Sequence, residues 1–484
     1  MRLRLLQLAG PIAATFVYWA MHDHGNAPAA MAGIVAWMAV WWISEAVPLA
    51  VTSLLPMILF PLFGIDSMAG TAANYGKEII YLFLGGFLLA LAIERTGLHR
   101  RIALHIVSLV GSTGPRLVAG IMLASALISM WMNSTSCVLV MLPIALSLLD
   151  GDGSPEARRS LTVPLLLAVS YGATIGGMAT PVGTPPNLVF LEIWRTTWPE
   201  RSPIGFGQWM SFGIPFAMIY LGIAWLLITR IVFRVPTHHI IEVAQVEQGL
   251  NGMGRMTNAE IKAGMLFALV ALFWITGDGI SFSDTYRIPG WREKFHLAAV
   301  TDGAIAVAAA IFLFLVQAPM PSMENTRKHG PLMTWDIAEQ KLPWGILLLF
   351  GGGFAIATGM EKTGLANIMV AALNDYSSLH PTALIATVSS VVCVMSELGS
   401  NTATASLTLP ILAESATVWG MDPQWLLIPA TLAATLGFAL PVASPMQAIV
   451  FGSGRIPVRE MVRAGIWMDL IGIVLLTLFF GVMG

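Results

Sequence analysis

Two polar triplets interrupt long apolar runs in this chain. Asn133-Ser134-Thr135 falls inside a run from Leu117 to Leu149, and Ser400-Asn401-Thr402 falls inside another over 381–418. Their hydroxyl and amide oxygens are ligands for a hard cation such as sodium, and their O–H and N–H groups donate to carboxylate oxygens. PVGTPPN at 181–187 and PVASPMQ at 441–447 form a second pair of irregular stretches. Proline removes a backbone donor and clashes with the preceding turn, so each stretch breaks a helix and frees backbone groups. No Lys, Arg or His lies in 129–137, 181–187, 396–404 or 441–447. An anion bound there would take its compensating charge from bound cations and positive helix ends, so any such anion and cation are expected to bind together.

The elements that must hold these groups follow from the bilayer. With 56% hydrophobic and 11% charged residues, 484 residues cannot cover themselves as a soluble protein does. Apolar segments predict about eleven crossings, at 5–21, 30–44, 47–64, 79–94, 161–197, 209–232, 260–277, 297–318, 343–360, 424–453 and 462–482. The runs 117–149 and 381–418 are too long for one crossing and lack a charged loop that would make them two. Each is therefore expected as a re-entrant hairpin. With the N-terminus inside and the C-terminus outside, Arg2, Arg4, Arg95, Arg100, Arg101, Arg158, Arg159, Arg230, Arg234, Arg455, Arg459 and Arg463 then gather on the inner face. The charged, apolar start MRLRLLQLAG reads as part of the first helix rather than a cleaved leader. Residues 235–258 read as a polar inner linker whose end, Thr257-Asn-Ala-Glu260, forms a capping box. The segment 319–342 reads as a second inner loop with solvated charges.

The halves of the chain repeat. LGGFLLALAIERTGL at 84–98 aligns with GGGFAIATGMEKTGL at 351–365. The same offset carries Ser129 onto Ser396, Asn133-Ser134-Thr135 onto Ser400-Asn401-Thr402, and Pro143 onto Pro410. The expected crossings run through these copies in opposite directions. An inverted repeat of this kind marks a secondary transporter, with its site at mid-bilayer where broken helices meet. Irregular backbone is tolerated there only when it is buried or lines a watery cavity. The expected fold is thus an all-α polytopic membrane protein with an inverted-topology repeat, two re-entrant hairpins and two broken helices. Its parts are scaffold helices in 1–78 and a first repeat core in 79–208, holding the hairpin 117–149 and broken helix 161–197. Connecting helices in 209–342 follow, then a second core in 343–484, holding the hairpin 381–418 and broken helix 424–453.

At these residues the chain resembles the divalent anion/sodium symporter family, which includes bacterial dicarboxylate carriers and mammalian dicarboxylate, citrate and sulfate cotransporters. The likeness runs in order through WWISEAVPLAVTSLLP, IIYLFLGGF, SMWMNST, PVGTPPN, LLLFGGGF, SELGSNTATA and PVASPMQAIVFGSG. Ser400-Asn401-Thr402 keeps the family's triplet. Asn133-Ser134-Thr135 departs from it, as does Met446-Gln447 from the Pro-Asn kept at Pro186-Asn187. The resemblance implies a homodimer in which a mobile transport domain moves as an elevator against a scaffold. It implies sodium (Na+) as the coupled ion, with a first site of Ser129, Asn133, Ser134 and the Gly183 backbone. The implied second site has Ser396, Asn401 and the Gly399 and Ala443 backbones. Substrate carboxylates would meet Ser134, Thr135, Thr184, Ser400, Asn401, Thr402 and Ser444. The implied cargo is a small divalent anion, a C4-dicarboxylate such as succinate, malate or fumarate, carried across the cytoplasmic (inner) membrane. A proton-coupled or exchanging carrier of citrate or sulfate is the alternative.

Other residues read more plainly. Glu94, Glu361 and Glu397 are expected to accept from nearby backbone N–H groups and shape the helices, with Glu45, Asp302 and Asp469 at the interface. Cys137 and Cys393 read as packed thiols, and His238-His239 as part of the solvated linker. No basic stripe suggests nucleic acid. No HExxH or GxSxG motif suggests an enzyme.

Overall fold

The computed structural model describes residues 2–111, 113–149, 155–237, 250–281, 287–320, 328–372 and 378–481. Helices α1 (Arg2–Ala20) and α2 (Asn26–Ser44) pair along their lengths. The short α3 (Leu49–Thr52), α4 (Leu55–Leu62) and α5 (Met68–Ala73) follow. The expected crossing at 47–64 is thus two short helices. Pro48 stands at the N-cap of α3 and Pro56 in the first turn of α4, where proline starts a helix rather than continuing one.

The same element order then occurs twice. The first copy is α6 (Glu78–Thr96), α7 (Leu98–Val110), the pair α8 (Gly114–Ser129) and α9 (Ser134–Leu149), then α10 (Pro155–Met178), α11 (Pro185–Thr197) and α12 (Phe206–Leu226). Helix α12 ends in a π-helical turn over Leu227–Val232. Helices α13 (Asn258–Ile275) and α14 (Asp302–Leu315) come between the copies. The second copy is α15 (Trp344–Thr363), α16 (Leu365–Ala372), the pair α17 (Pro381–Leu398) and α18 (Asn401–Val418), then α19 (Gln424–Ala433), α20 (Pro445–Gly452) and α21 (Val458–Gly481). The duplicated Thr-Gly-Leu marks one device used twice. Gly97 (φ 83°) and Gly364 (φ 71°) take the left-handed conformation that closes α6 and α15, their N–H groups donating to the Glu94 and Glu361 carbonyls at 3.1 Å.

Among the described residues, eight helices are long and apolar enough to cross a membrane: Asn26–Ser44, Met68–Thr96, Ser160–Met178, Phe206–Val232, Asn258–Ile275, Trp344–Thr363, Pro381–Leu398 and Val458–Gly481. The hairpin arms Gly114–Ser129 and Ser134–Leu149 and the helix Asp302–Leu315 are apolar but shorter. The crossing expected at 297–318 is therefore trimmed at both ends. The inner linker lies partly outside the described residues, which resume at 250. The second expected loop is more structured than its charges suggested: Gln317–Met320 pairs antiparallel with Lys328–Pro331, and a helical turn spans Trp335–Lys341.

Glycine sets how closely the core helices approach. A Cβ on Gly172 would lie 2.4 Å from Met122 O, and one on Gly176 would lie 2.3 Å from Ala126 O. Helix α10 therefore rests backbone to backbone on α8, the small-residue contact that membrane helices use in place of a hydrophobic drive. The break after α10 is backed by Gly213 of α12, and the break after α19 by Gly465 of α21, whose Cβ would sit 2.2 Å from Phe438 O. The two copies also interlock. The second hairpin arm of each copy packs on the far segment of the other copy's broken helix, α9 on α20 and α18 on α11.

One buried ion pair ties this core to the segment after the linker. Arg101 of α7 donates through Nε to Glu260 Oε1 at 2.8 Å and through Nη2 to Oε2 at 3.2 Å, and through Nη1 to Gly254 O at 2.8 Å. Glu260 also completes the expected capping box: its Oε2 accepts from Thr257 N at 2.7 Å, and its own N–H donates to Thr257 Oγ1 at 3.2 Å. Removing one member of a buried pair strands the other and costs about 3–5 kcal/mol. Arg101→Met is expected to lower the melting temperature in detergent clearly, and Glu260→Gln less, because Gln still caps the helix. Equal melting of Arg101→Met and the unmodified protein would show that the pair holds nothing.

Candidate functional site

The turn between α8 and α9 folds two hydroxyls onto one point. Ser129 Oγ and Ser134 Oγ are 2.9 Å apart, and Ser129 Oγ donates to Ala173 O at 2.6 Å. Ser134 Oγ lies 3.1 Å from Ala173 O and 3.2 Å from Gly183 O. Each hydroxyl has one hydrogen, so these contacts compete, and the oxygens they gather are the kind a sodium ion collects. Glycine makes the approach possible: a Cβ on Gly177 would lie 2.7 Å from Ser134 Oγ and 3.0 Å from Gly183 O. The cluster is buried, with Ser129 fully enclosed and Ser134 3% exposed.

The second copy repeats the pattern with one change of chemistry. Ser396 Oγ lies 2.9 Å from Asn401 Oδ1 and 2.7 Å from Ala434 O. Asn401 Oδ1 thus stands where Ser134 Oγ stands, and Ala434 O where Ala173 O stands. Gly437 faces the same spot, since a Cβ there would meet Ser396 Oγ at 3.7 Å, Asn401 Oδ1 at 3.8 Å and the Ala443 Cβ at 3.5 Å. Gly399 follows the last turn of α17, its N–H 3.4 Å from Ser396 O.

Four helices begin at these clusters: α9 at Ser134, α11 at Pro185, α18 at Asn401 and α20 at Pro445. Helix starts carry unsatisfied N–H groups and a partial positive charge, so they attract an anion without any basic side chain. Thr184 and Ser444 are the N-cap residues of α11 and α20, both buried. Ser444 Oγ accepts from Gln447 N at 3.4 Å, whereas the Thr184 side chain makes no capping bond. Ser400 is the N-cap of α18, half-buried and likewise without a side-chain cap, and Thr402 is buried one residue into the helix. Thr135 is half-buried and its Oγ1 lies 3.6 Å from Met446 Sδ, which brings the first tip against the second break.

Asn133 stands apart from the set expected of it. Its Oδ1 accepts from Thr135 N at 2.7 Å, capping α9, so its amide oxygen is turned to its own helix and not to Ser129. The acids also divide differently. Glu397 behaves as expected, accepting from Ala439 N at 2.8 Å and Leu440 N at 3.0 Å across the second break. Asp469, expected at the interface, is buried and accepts from Phe438 N at 3.3 Å, because Gly465 draws α21 against that break. Glu94 pairs with Lys341 at 2.7 Å instead of backbone, and Glu361 is exposed. Asp302 is held by Arg292 and Glu45 is exposed. The carbonyls of Ala173 and Ala434 lie outside the sets that the triplets and breaks suggest. A legible signal exists for them: Ala-Thr-Ile-Gly at 173–176 and Ala-Thr-Leu-Gly at 434–437 repeat one another just ahead of the two breaks.

A sequence model described as the sodium:sulfate symporter transmembrane region matches residues 7–483. The chain is 36% identical over 453 residues to the sodium-dependent dicarboxylate transporter SdcS of Staphylococcus saprophyticus, covering 92% of this chain and 84% of that protein. The SdcS of Staphylococcus aureus strain NCTC 8325 matches to the same extent, 36% over 453 residues. Among solved structures, the fold is similar to the Alcanivorax borkumensis YdaH transporter, with TM-score 0.56 and 16% identity over 85% of this chain and 86% of that one. It is also similar to MtrF of Neisseria gonorrhoeae, with TM-score 0.55 and 14% identity over 85% and 83% of the two chains. A match along nearly its whole length places the chain in the sodium:sulfate symporter family, the divalent anion/sodium symporters.

Proposed function

We propose that this protein is a secondary active transporter that couples sodium to the entry of a divalent anion, a C4-dicarboxylate such as succinate, malate or fumarate. One observation carries the reading: two copies of a buried oxygen cluster lie at helix N-termini, with no basic side chain in the stretches that build them. Sodium ions would lie among Ser129, Ser134 and the Ala173 and Gly183 carbonyls, and among Ser396, Asn401 and the Ala434 carbonyl. The dianion would sit between the tips, reached by Thr135, Thr184, Ser400, Thr402 and Ser444 and by the N–H groups that open α9, α11, α18 and α20. Each charge then lowers the cost of the other, which is what couples them: without sodium the dianion meets carbonyl dipoles, and without the dianion the cations are uncompensated. The names of the relatives, sodium-dependent dicarboxylate transporters, support the same cargo.

The mechanism we favour is an elevator. The hairpins α8–α9 and α17–α18 and the broken helices would move as one body because they interlock, against a scaffold of the remaining helices in a homodimer. The N-terminus would lie inside the cytoplasmic membrane and the C-terminus outside. A proton-driven carrier is the rival reading, and the feature in its favour is Asp469, buried beside the Glu397 carboxylate at the second break.

Succinate uptake into proteoliposomes separates the two. An imposed inward sodium gradient is expected to drive uptake and a pH gradient alone is not; uptake driven by the pH gradient without sodium would replace this reading with the rival. Asn401→Ala is expected to abolish uptake in a protein that still folds, as judged by size-exclusion and melting, and unimpaired uptake would remove Asn401 from the site. Glu397→Gln turns an N–H2 group toward backbone donors at the break. Loss of a charge-assisted hydrogen bond of that kind is expected to slow uptake about tenfold or more, and uptake at the unmodified rate would leave Glu397 with no part in shaping the break.

A further inference from the structure

The departure at the first tip exchanges the jobs of two neighbouring residues. We infer that Asn133 recognises the anion and is not a sodium ligand, its Nδ2 donating to one carboxylate while Asn401 Nδ2 donates to the other. This rests on the reading of the protein as a sodium-coupled dicarboxylate carrier.

The amide geometry carries the assignment. Asn133 Oδ1 is taken by Thr135 N at 2.7 Å, which settles which end of the carboxamide is oxygen. The group is planar, so a fixed oxygen fixes the direction of Nδ2 as well. Asn133 as a whole is only 6% exposed. Among the described residues its Nδ2 has no hydrogen-bond partner, yet unlike Asn187 Oδ1 and Gln447 Nε2 it is not sealed from the surface. The Nδ2 group therefore keeps accessible surface at an otherwise buried tip.

Asn401 is in the same condition by another route. Its Oδ1 is taken by Ser396 Oγ at 2.9 Å, the residue is 8% exposed, and among the described residues its Nδ2 is neither bonded nor sealed. Each tip thus presents one amide whose acceptor is already used, leaving a donor that suits an ionised carboxylate. Ser134 meanwhile supplies the cation oxygen that Asn401 supplies in the other copy, at the same 2.9 Å from its hairpin serine. The two donors come from the first position of one triplet and the second position of the other. One residue along a helix is about 1.5 Å of rise and about 100° of turn. The pair of amides is therefore offset from the symmetry of the repeat, and their separation selects among dicarboxylates by length.

Purified protein tests this with two readouts: sodium binding in the absence of anion, and uptake of malonate, succinate and glutarate at saturating sodium. Asn133→Ser keeps a capping side chain and removes the amide donor. It is expected to raise the KM for the preferred dicarboxylate about tenfold and to change the ranking of the three chain lengths, with anion-free sodium affinity held within about twofold. Ser134→Ala is expected to weaken anion-free sodium binding. Asn133→Asp, which keeps the capping oxygen, is expected to abolish dicarboxylate uptake and serves if the serine variant does not fold. The inference is overturned if Asn133→Ser weakens anion-free sodium binding as much as Ser134→Ala, or leaves KM and ranking unmoved. If the unmodified protein shows no sodium-driven dicarboxylate uptake, the carrier reading falls and this inference with it. Unmodified uptake with an unaltered Asn133→Ser variant overturns the inference alone.

Discussion

A helix broken inside a membrane frees donors and acceptors that lipid cannot satisfy, and the protein must satisfy them itself. The two breaks meet this demand with opposite chemistry. At the first, Asn187 Nδ2 donates to Gly177 O at 3.2 Å and Thr180 O at 2.8 Å, while Trp209 Nε1 donates to Met178 O at 3.0 Å. Freed carbonyls are capped there by neutral donors. At the second, the carboxylates of Glu397 and Asp469 cap the freed N–H groups of Phe438, Ala439 and Leu440. One repeat thus ties up acceptors and the other ties up donors. An exact copy of either solution would leave the site with more of one sign of dipole.

Close backbone packing is what lets those bonds form. Gly172 and Gly176 seat α10 on α8, so that the Ala173 carbonyl reaches both Ser129 and Ser134. Gly213 and Gly465 let α12 and α21 back the breaks, and the second of these brings Asp469 within reach. The exchange of partners between copies, α9 with α20 and α18 with α11, then binds each hairpin's second arm to the far segment of the other copy's broken helix.

Gln447 shows how far one methylene carries. Asn187 bends back to its own break, but the longer Gln447 reaches across to the first copy, where its Oε1 accepts from Ser170 Oγ at 3.2 Å. Its Nε2 is left buried without a partner among the described residues. The second break loses the amide brace that the first keeps, and the two acids hold it instead. Met446, in the place that Pro186 holds in the first break, meets Thr135 and closes the contact between copies.

Much of this was legible in the chain itself, because membrane folding leaves strong local marks. Apolar length, proline placement, the duplicated Thr-Gly-Leu and the paired Asn-Ser-Thr and Ser-Asn-Thr triplets depend on neighbours within a few residues, and they indicated hairpins, breaks and the residues around them. The shortened helices at 49–62 and 302–315 were less legible, since proline and capping at their ends override apolar length. What the sequence could not decide was direction. Whether Asp469 faces headgroups or a buried break, and which carbonyls join the serines, are settled by residues 31 to 49 positions away, while Asn133 turns its oxygen to a partner at its own tip, Thr135 N. A side chain's type is local, but the partner it finds is set by how helices stack, and only the tertiary structure carries that.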